Sequence, residues 1–287
     1  MQVLLTGATG FVGRALLPLL LAQGHQVTAL CRQPPAAIGR PQPGLRWLAA
    51  DIASLDDAML AAIGPQDVVV HLAWPGLPQY RQMFHLDDNL GAACRFQRAL
   101  VAAGTRQVLV AGTCFEYGLQ AGCLHEDLPT QPVTAYAVAK DSLRRYLQCL
   151  QHQLQFTLQW ARLFYMHGPG QHPGSLLAQL DQAIDRGDAQ FKMSGGEQLR
   201  DYLPVADAAR RLAWLLANPG CQGVVNVCSG RPVSVRGLVE RHLQARGASL
   251  ALQLGHYPYP DHEPMAFWGD ARRIPAPATT PGQTADD

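Results

Sequence analysis

The chain has no excess of charge of either sign: 23 Lys and Arg stand against 22 Asp and Glu, for a formal net charge of +1. It has no basic run and no interleaving of aromatic and basic residues. A nucleic-acid partner is therefore not expected, and a balanced, solvated surface is. C-x-x-C pairs are absent as well. The seven cysteines (Cys31, Cys94, Cys114, Cys123, Cys149, Cys221 and Cys228) are scattered singly. An odd, dispersed set argues for free thiols in a reducing compartment, against a disulfide framework or a zinc site. The longest apolar run, residues 16–22, is far too short to span a bilayer. The first strand begins at Gln2, which leaves no room for the charged start of a signal peptide. A soluble, cytoplasmic protein with no membrane partner is expected.

What is present begins at the N-terminus. A hydrophobic content of 48% in 287 residues is enough for one large α/β unit, or for a main domain with a smaller partner. The opening LLTGATGFVG, Leu4 to Gly13, runs from apolar residues into Gly7, Gly10 and Gly13 and on into a helical pattern. A strand, a glycine turn and a helix N-terminus together make a cradle for phosphate. The first N–H groups of the helix lack partners, and its dipole is positive at that end. Glycine is needed where a Cβ would block the turn or keep a ligand off the backbone. The spacing G-x-x-G-x-x-G differs from the G-x-G-x-x-G dinucleotide fingerprint, and a ligand-free glycine turn is the alternative.

Residues 26–31 read as the second strand, which ends in Cys31-Arg32-Gln33 with no carboxylate. An acidic residue there would bind the 2′-hydroxyl of an adenosine ribose, whereas a cation accommodates a 2′-phosphate; Arg32 therefore favours NADP(H), with NAD(H) possible. Residues 33–44 read as a surface loop and 46–50 as a third strand. Asp51 follows it, either reaching an adenine amino group or capping a helix from Ser54. Residues 67–73 form a buried parallel strand. Its His71 reads as a satisfied core histidine. The loop from Trp74 to Tyr80 lies beyond the carboxyl end of that strand, where open α/β sheets bind ligands. A helix over 84–103 carrying Asn89 and a strand over 107–111 follow.

Tyr136 and Lys140, four residues apart at the start of a helix ending near residue 151, share one helix face. An ammonium near a phenol favours phenolate, lowering its pKa from about 10. Such a tyrosine can exchange a proton with a substrate oxygen while hydride moves at the adjacent carbon. Thr113, at the carboxyl end of its strand, can hydrogen-bond the same oxygen.

In combination these features resemble the extended short-chain dehydrogenase/reductases, the superfamily of nucleotide-sugar epimerases, dehydratases and reductases. The resemblance rests on Thr6–Gly13, His71-Leu72-Ala73, Thr113 with Tyr117-Gly118, and Tyr136 with Lys140. It continues through Arg162-Leu163-Phe164-Tyr165, Gly168-Pro169-Gly170, Arg200-Asp201-Tyr202 with Val205 and Asp207, and Asn226-Val227 with Ser229-Gly230. It implies a Rossmann-type doubly wound parallel sheet over residues 1–163, with a return strand near 224–228. A smaller C-terminal substrate-binding domain over 164–287 would end in a disordered tail from 276. Thr113, Tyr136 and Lys140 would be the catalytic set. The cofactor would meet Gly7, Thr9, Gly10, Phe11 and Val12 on the turn, and Arg32, Asp51 and Ile52 at the adenosine end. Leu72, Ala73, Tyr136 and Lys140 would complete its seat. The sugar nucleotide would meet Trp74, Cys114, Glu116, Tyr165 and Arg200, with Arg200 on its phosphates and Glu116 either on a sugar hydroxyl or paired with a nearby base. A homodimer through the helices carrying Asn89 and Tyr136 is implied too.

Departures from the family pattern narrow the reaction. Where its dehydratases place an Asp-Glu pair after the catalytic Thr, this chain has Cys114 and Phe115, so elimination of water is not expected. An epimerase-reductase cysteine two positions after that Thr is also missing, since Phe115 stands there. NADPH-dependent reduction of a nucleotide-linked 4-keto-6-deoxyhexose remains, with a 4-epimerase retaining NAD and a non-catalytic NADP-binding regulator as alternatives. His256, Asp261, His262 and Glu263 lack a defined metal-ligand spacing, and no metal site is expected.

Overall fold

The computed structural model describes residues 1–33 and 42–275. The loop expected over 33–44 falls mostly outside these residues, and the segment 276–287 wholly so. The short β-branched and apolar runs make the centre of the molecule. β1 (Gln2–Thr6) leads into α1 (Phe11–Ala22), β2 (Gln26–Cys31) and β3 (Leu45–Ala49); α2 (Asp57–Ile63) then precedes β4 (Val68–His71). α3 (Gly91–Ala102) connects to β5 (Gln107–Thr113), a short β6 (Gly122–Leu124) follows, and α4 (Ala135–Gln151) leads to β7 (Thr157–Leu163). All of these strands except β6, together with β11 (Gly223–Val227), form a seven-stranded parallel sheet in the order β3-β2-β1-β4-β5-β7-β11. The order reverses between β1 and β4, where Thr6 registers with His71. At that reversal the connections leave toward opposite sides of the sheet and a crevice opens beyond the strand ends.

The second half alternates between the main body and a smaller unit. β8 (Tyr165–His167), α5 (Leu176–Arg186), β9 (Gln190–Lys192) and β10 (Leu199–Pro204) depart from the large sheet, and α6 (Val205–Ala217) and β11 (Gly223–Val227) return to it. β12 (Pro232–Ser234), α7 (Val235–Ala245), β13 (Ala251–Gln253) and β14 (Phe267–Gly269) complete the order. β12-β10-β8 form a three-stranded sheet, β9 pairs with β13, and β14 pairs back onto β6. α5 and α7 bury Leu177, Leu180, Leu238 and Val239 against Phe191 in a core of their own.

β11 supplies the return strand expected near 224–228, joining β7 at the edge of the large sheet. α6 packs on α1, burying Leu212, Leu215 and Leu216 with Leu16 and Leu20 under the sheet. The last carbonyls of α6, which lack partners within the helix, are met by buried glutamines from the strands. Gln159 donates to Leu215 O at 2.7 Å, and Gln107 to Leu216 O at 2.9 Å.

Two local differences from the sequence reading have clear causes. The helix expected over 84–103 begins with a wider π-helical turn, His85–Leu90, before α3. The helix expected from Ser54 is split. Asp51 caps a 3-10 turn at Ala53 N (2.9 Å), and Asp56 caps α2 at Met59 N (2.7 Å). Two Asp residues each accept an unpaired N–H, and each starts its own turn. Among the described residues no helix is long and apolar enough to cross a membrane.

If α6 belongs to the same cooperative core as α1, Leu212→Ala should cost about 2–5 kcal/mol. Urea unfolding should show this as a lower midpoint of one transition; an early separate transition with the main one unmoved would contradict it.

Candidate active site

The glycine turn has the geometry a phosphate seat needs. Gly7 has φ +74°, and a Cβ on it would lie 2.8 Å from Ala73 N on the neighbouring strand end. Gly13 lets α1 close on the turn, since a Cβ there would stand 2.1 Å from Gly7 O. Gly10 caps α1 with backbone alone, so no side chain occupies the first N–H groups of the helix. An anion can approach those groups directly, which fits the pyrophosphate of a dinucleotide.

From this turn a cleft of about 770 Å³ runs along the carboxyl ends of the strands. Gly7, Thr9, Gly10, Phe11 and Val12 line its near wall, and Arg32, Asp51 and Ile52 line the side at the ends of β2 and β3. Leu72, Ala73 and Trp74 follow β4 into it, and Thr113, Tyr136 and Lys140 stand farther along. The topology is what collects them, because every one of these residues lies at or just after a strand end, on the first turn of α1, or on α4. His71 lies beneath the cleft with no exposure, its Nδ1 2.9 Å from Thr6 Oγ1; burial lowers its pKa to about 3 and keeps it neutral.

Thr134 caps α4 by accepting Ala137 N–H at 3.2 Å, which places Tyr136 and Lys140 in the first turns. Tyr136 N donates to Tyr80 O (3.0 Å), and the phenol ring packs against Tyr80, His85 and Trp74. The electrostatics differ from those expected on spacing alone. Burial, followed by Tyr80 and Glu116, raises the Tyr136 phenol, while Thr113 pulls it down. Burial also lowers Lys140 to about 7, opposed by the Glu116 carboxylate. Within the protein, desolvation outweighs the attraction between ammonium and phenolate.

On the sugar side the structure divides the expected residues. Trp74, Cys114 and Tyr165 line the cleft. Glu116 does not: it has no exposure, accepts Thr113 N (2.9 Å) and the Trp160 indole N–H (2.9 Å), and pairs with Arg162 Nε at 2.8 Å. Of its two readings, the partner of a nearby base is the one the geometry takes. Arg200 is also outside the cleft lining. Its guanidinium is buried against Phe267, donates to Glu263 (2.9 Å) and to Leu199 O (2.9 Å), and so has its charge matched inside the fold. Asp201, next to it, accepts Ser229 N and Gly230 N at 2.6 and 2.8 Å and fixes that turn.

Several lining residues escaped the sequence reading. Tyr80 and Phe115, in edge contact at 5.2 Å, wall the cleft beside Tyr136 and Cys114, and Gln171, His172 and Ser175 close its other side. Tyr80 lay within the loop flagged after β4, but nothing in its neighbours' pattern distinguished it. Burial drives the Cys114 thiol far above its ordinary range, so it stays protonated. Among the described residues no group of three or more His, Cys, Asp or Glu is placed to hold a metal ion.

A doubly wound parallel sheet with a glycine-lined anion seat at its switch point, and with Thr, Tyr and Lys along the same cleft, defines a Rossmann-type NAD(P)-dependent enzyme. The chain belongs to the NAD dependent epimerase/dehydratase family, whose sequence profile matches residues 3–228. It is 26% identical over 94% of its length to a dTDP-6-deoxy-L-talose 4-dehydrogenase (NAD(+)) of Aggregatibacter actinomycetemcomitans, covering 99% of that protein. It is 32% identical over 91% of its length to a dTDP-6-deoxy-L-talose 4-dehydrogenase (NAD(P)(+)) of Kitasatospora kifunensis, covering 83% of it. Among solved structures, MoeE5 in complex with UDP-glucose and NAD superposes with a TM-score of 0.81 and 29% identity, covering 95% of this chain and 90% of that one.

Glu116→Gln removes the charge facing buried Arg162 while keeping the shape of the carboxylate. Breaking such a pair from one side should cost about 3–5 kcal/mol. Thermal unfolding should fall accordingly; an unchanged transition would show that Arg162 does not depend on this charge.

Proposed function

We propose that the protein is an NADPH-dependent reductase of a nucleotide-linked 4-keto-6-deoxyhexose, converting the C4 carbonyl to a hydroxyl. The observation that carries this reading is the pair of hydroxyls, Thr113 and Tyr136, beside a protonated thiol and a phenyl ring. At Cys114 and Phe115 there is no carboxylate to move protons in an elimination. What remains is proton exchange at a carbonyl or hydroxyl oxygen. The two dehydrogenases named above act, by their names, at position 4 of a 6-deoxyhexose nucleotide, which is the same bond change in the opposite direction.

The glycine turn would hold the pyrophosphate, Arg32 the ribose phosphate and Lys140 the nicotinamide ribose. When bound, the cofactor supplies the hydride. Thr113 orients the substrate oxygen and Tyr136 delivers the proton to it, with Tyr80 and Phe115 excluding water. Lys140 contributes positive charge beside the phenol below a pH of about 7, where it holds its proton in the folded protein. Arg32, which follows β2 in the run Cys31-Arg32-Gln33 with no carboxylate in it, supports NADP(H) over NAD(H). A homodimer through α3 and α4, which pack side by side, goes with the same reading.

Following NADPH absorbance with dTDP-, GDP-, CDP- and UDP-linked 4-keto-6-deoxy sugars tests the proposal. Oxidation with one of them is expected. Interconversion of a sugar nucleotide without added cofactor would favour a 4-epimerase instead. Tyr136→Phe should lower kcat by about 10²–10⁴-fold with NADPH affinity intact, and a retained kcat would overturn the mechanism. Arg32→Ala should weaken NADPH binding by roughly 10–100-fold, the worth of a charged hydrogen bond, and leave NADH binding unmoved. Equal losses for both would remove the case for NADP.

A further inference from the structure

Lys140 is 2% exposed as a residue, and the anion acting on its ammonium, Glu116, is already committed to Arg162. What lies against it is an aromatic face. Its Nζ stands 4.3 Å from the centroid of the Trp74 ring, with the Trp160 ring at 5.8 Å. The Trp74 indole is itself tied down, its N–H donating to His85 Nδ1 at 3.1 Å. An indole N–H only donates, so Nδ1 is the bare nitrogen of His85, and Nε2 carries the hydrogen toward Gln79 O at 3.0 Å. Asn89 Nδ2 approaches the same Nδ1 at 3.3 Å and donates to Pro75 O. His85 has no exposure, and its ring lies nearly parallel to that of Trp74, at 20° with the centroids 6.4 Å apart, as the in-plane hydrogen bond requires. It sits at the start of the π-helical turn His85–Leu90, a backbone form that recurs at functional sites.

We propose that Trp74 and His85 are positioning residues for Lys140. The indole face carries the ammonium, and the neutral His85 ring fixes the plane of the indole. A cation over a desolvated indole is held by the negative face of the ring, and this works only while the face points at the nitrogen. The ring thus offsets part of the cost of keeping a charge in a buried corner. The groups facing Lys140 are Glu116 from the turn after β5, His71 from β4, His85 from the π-helical turn and Tyr136 from α4. Those facing His85 are Lys140 and Tyr136 from α4, Asn89 on its own turn, and Trp74 and Gln79 from the loop after β4. Burial lowers the pKa of His85, the bond to Gln79 opposes this, and the Lys140 charge adds to the lowering, so the ring stays neutral with its Nδ1 available to the indole. Trp74 then serves the ammonium rather than acting simply as a wall for the sugar.

The proposal rests on Lys140 being part of the site described above, yet it can be tested without turnover. The chain has two lysines, Lys140 and Lys192. NMR of the full chain with isotope-labelled lysine therefore gives two signals, with exposed Lys192 as internal reference. In Trp74→Leu the Lys140 midpoint should fall by about one pH unit, the worth of a desolvated cation–π contact. Trp74→Phe, which keeps a weaker ring, should lie between. His85→Asn, which retains an acceptor near Nδ1, should stay near the wild type, and His85→Leu should move partway toward Trp74→Leu. An unmoved midpoint in Trp74→Leu overturns the proposal. Should that variant not fold, Trp74→Phe and His85→Leu carry the same test. In the reductase assay, a raised sugar KM with an unmoved alkaline limb of kcat would assign Trp74 to the sugar and also overturn it. A lysine shift without turnover of any sugar would uphold the proposal and count against the proposed reaction.

Discussion

Beneath the end of β5 a carboxylate with no solvent contact faces three donors. Glu116 closes the turn after the strand by accepting Thr113 N–H, and it also takes the Trp160 indole N–H and the Arg162 guanidinium. Burying this charge is costly unless every lone pair is used, and here each oxygen has a partner. The fit extends to the backbone. A Cβ on Gly112 would lie 2.2 Å from Trp160 Nε1 and 2.7 Å from Glu116 Oε1, so only glycine allows the indole and the carboxylate to meet there. Arg162 in turn lies 4.3 Å over the Tyr117 ring, and Tyr117 donates to Asn226 on β11 at 2.8 Å. One buried anion thus links the Thr113 turn, the strand beside it and the return strand at the sheet edge.

The same anion reaches the chemistry. It acts on Lys140 in favour of the charged form and on Tyr136 against ionisation, while burial opposes charge on both. A site built this way keeps its proton on the phenol and holds its lysine near the point of losing one. Aromatic rings, more than counter-ions, surround the pair: Tyr80, His85 and Trp74 around Tyr136, and Trp74 with Trp160 around Lys140. This is a dry corner, in which small electrostatic terms count for more than they would in water.

The glycine turn, the parallel sheet and the Thr113, Tyr136 and Lys140 set were legible because each is a local matter. A glycine turn between strand and helix depends on its own backbone, a β-branched run on its own burial, and a four-residue spacing on one helix face. Glu116 kept two readings in the sequence, since its partner Arg162 lies 46 residues on and Trp160 44. Arg200 misled for the same reason. Its charge is matched by Glu263, 63 residues later, within a segment whose acidic and histidine residues read as loop packing. The return of β11 was expected near 224–228, but the packing of α6 on the main body, through contacts such as those of Gln107 and Gln159, is announced by no stretch of sequence.

The sequence by itself determined the glycine turn, the class of sheet and the helix face that Tyr136 shares with Lys140. These follow from backbone conformation and short-range periodicity, which neighbouring residues settle among themselves. Only the tertiary structure decided which charges face the cleft and which are matched inside. It also decided that Tyr80 and Phe115 wall the cleft, and that Trp74 lies against Lys140. Pairing of charges and desolvation are set by residues far apart in the chain that meet only when the sheet assembles, so their outcome is a property of the packed molecule.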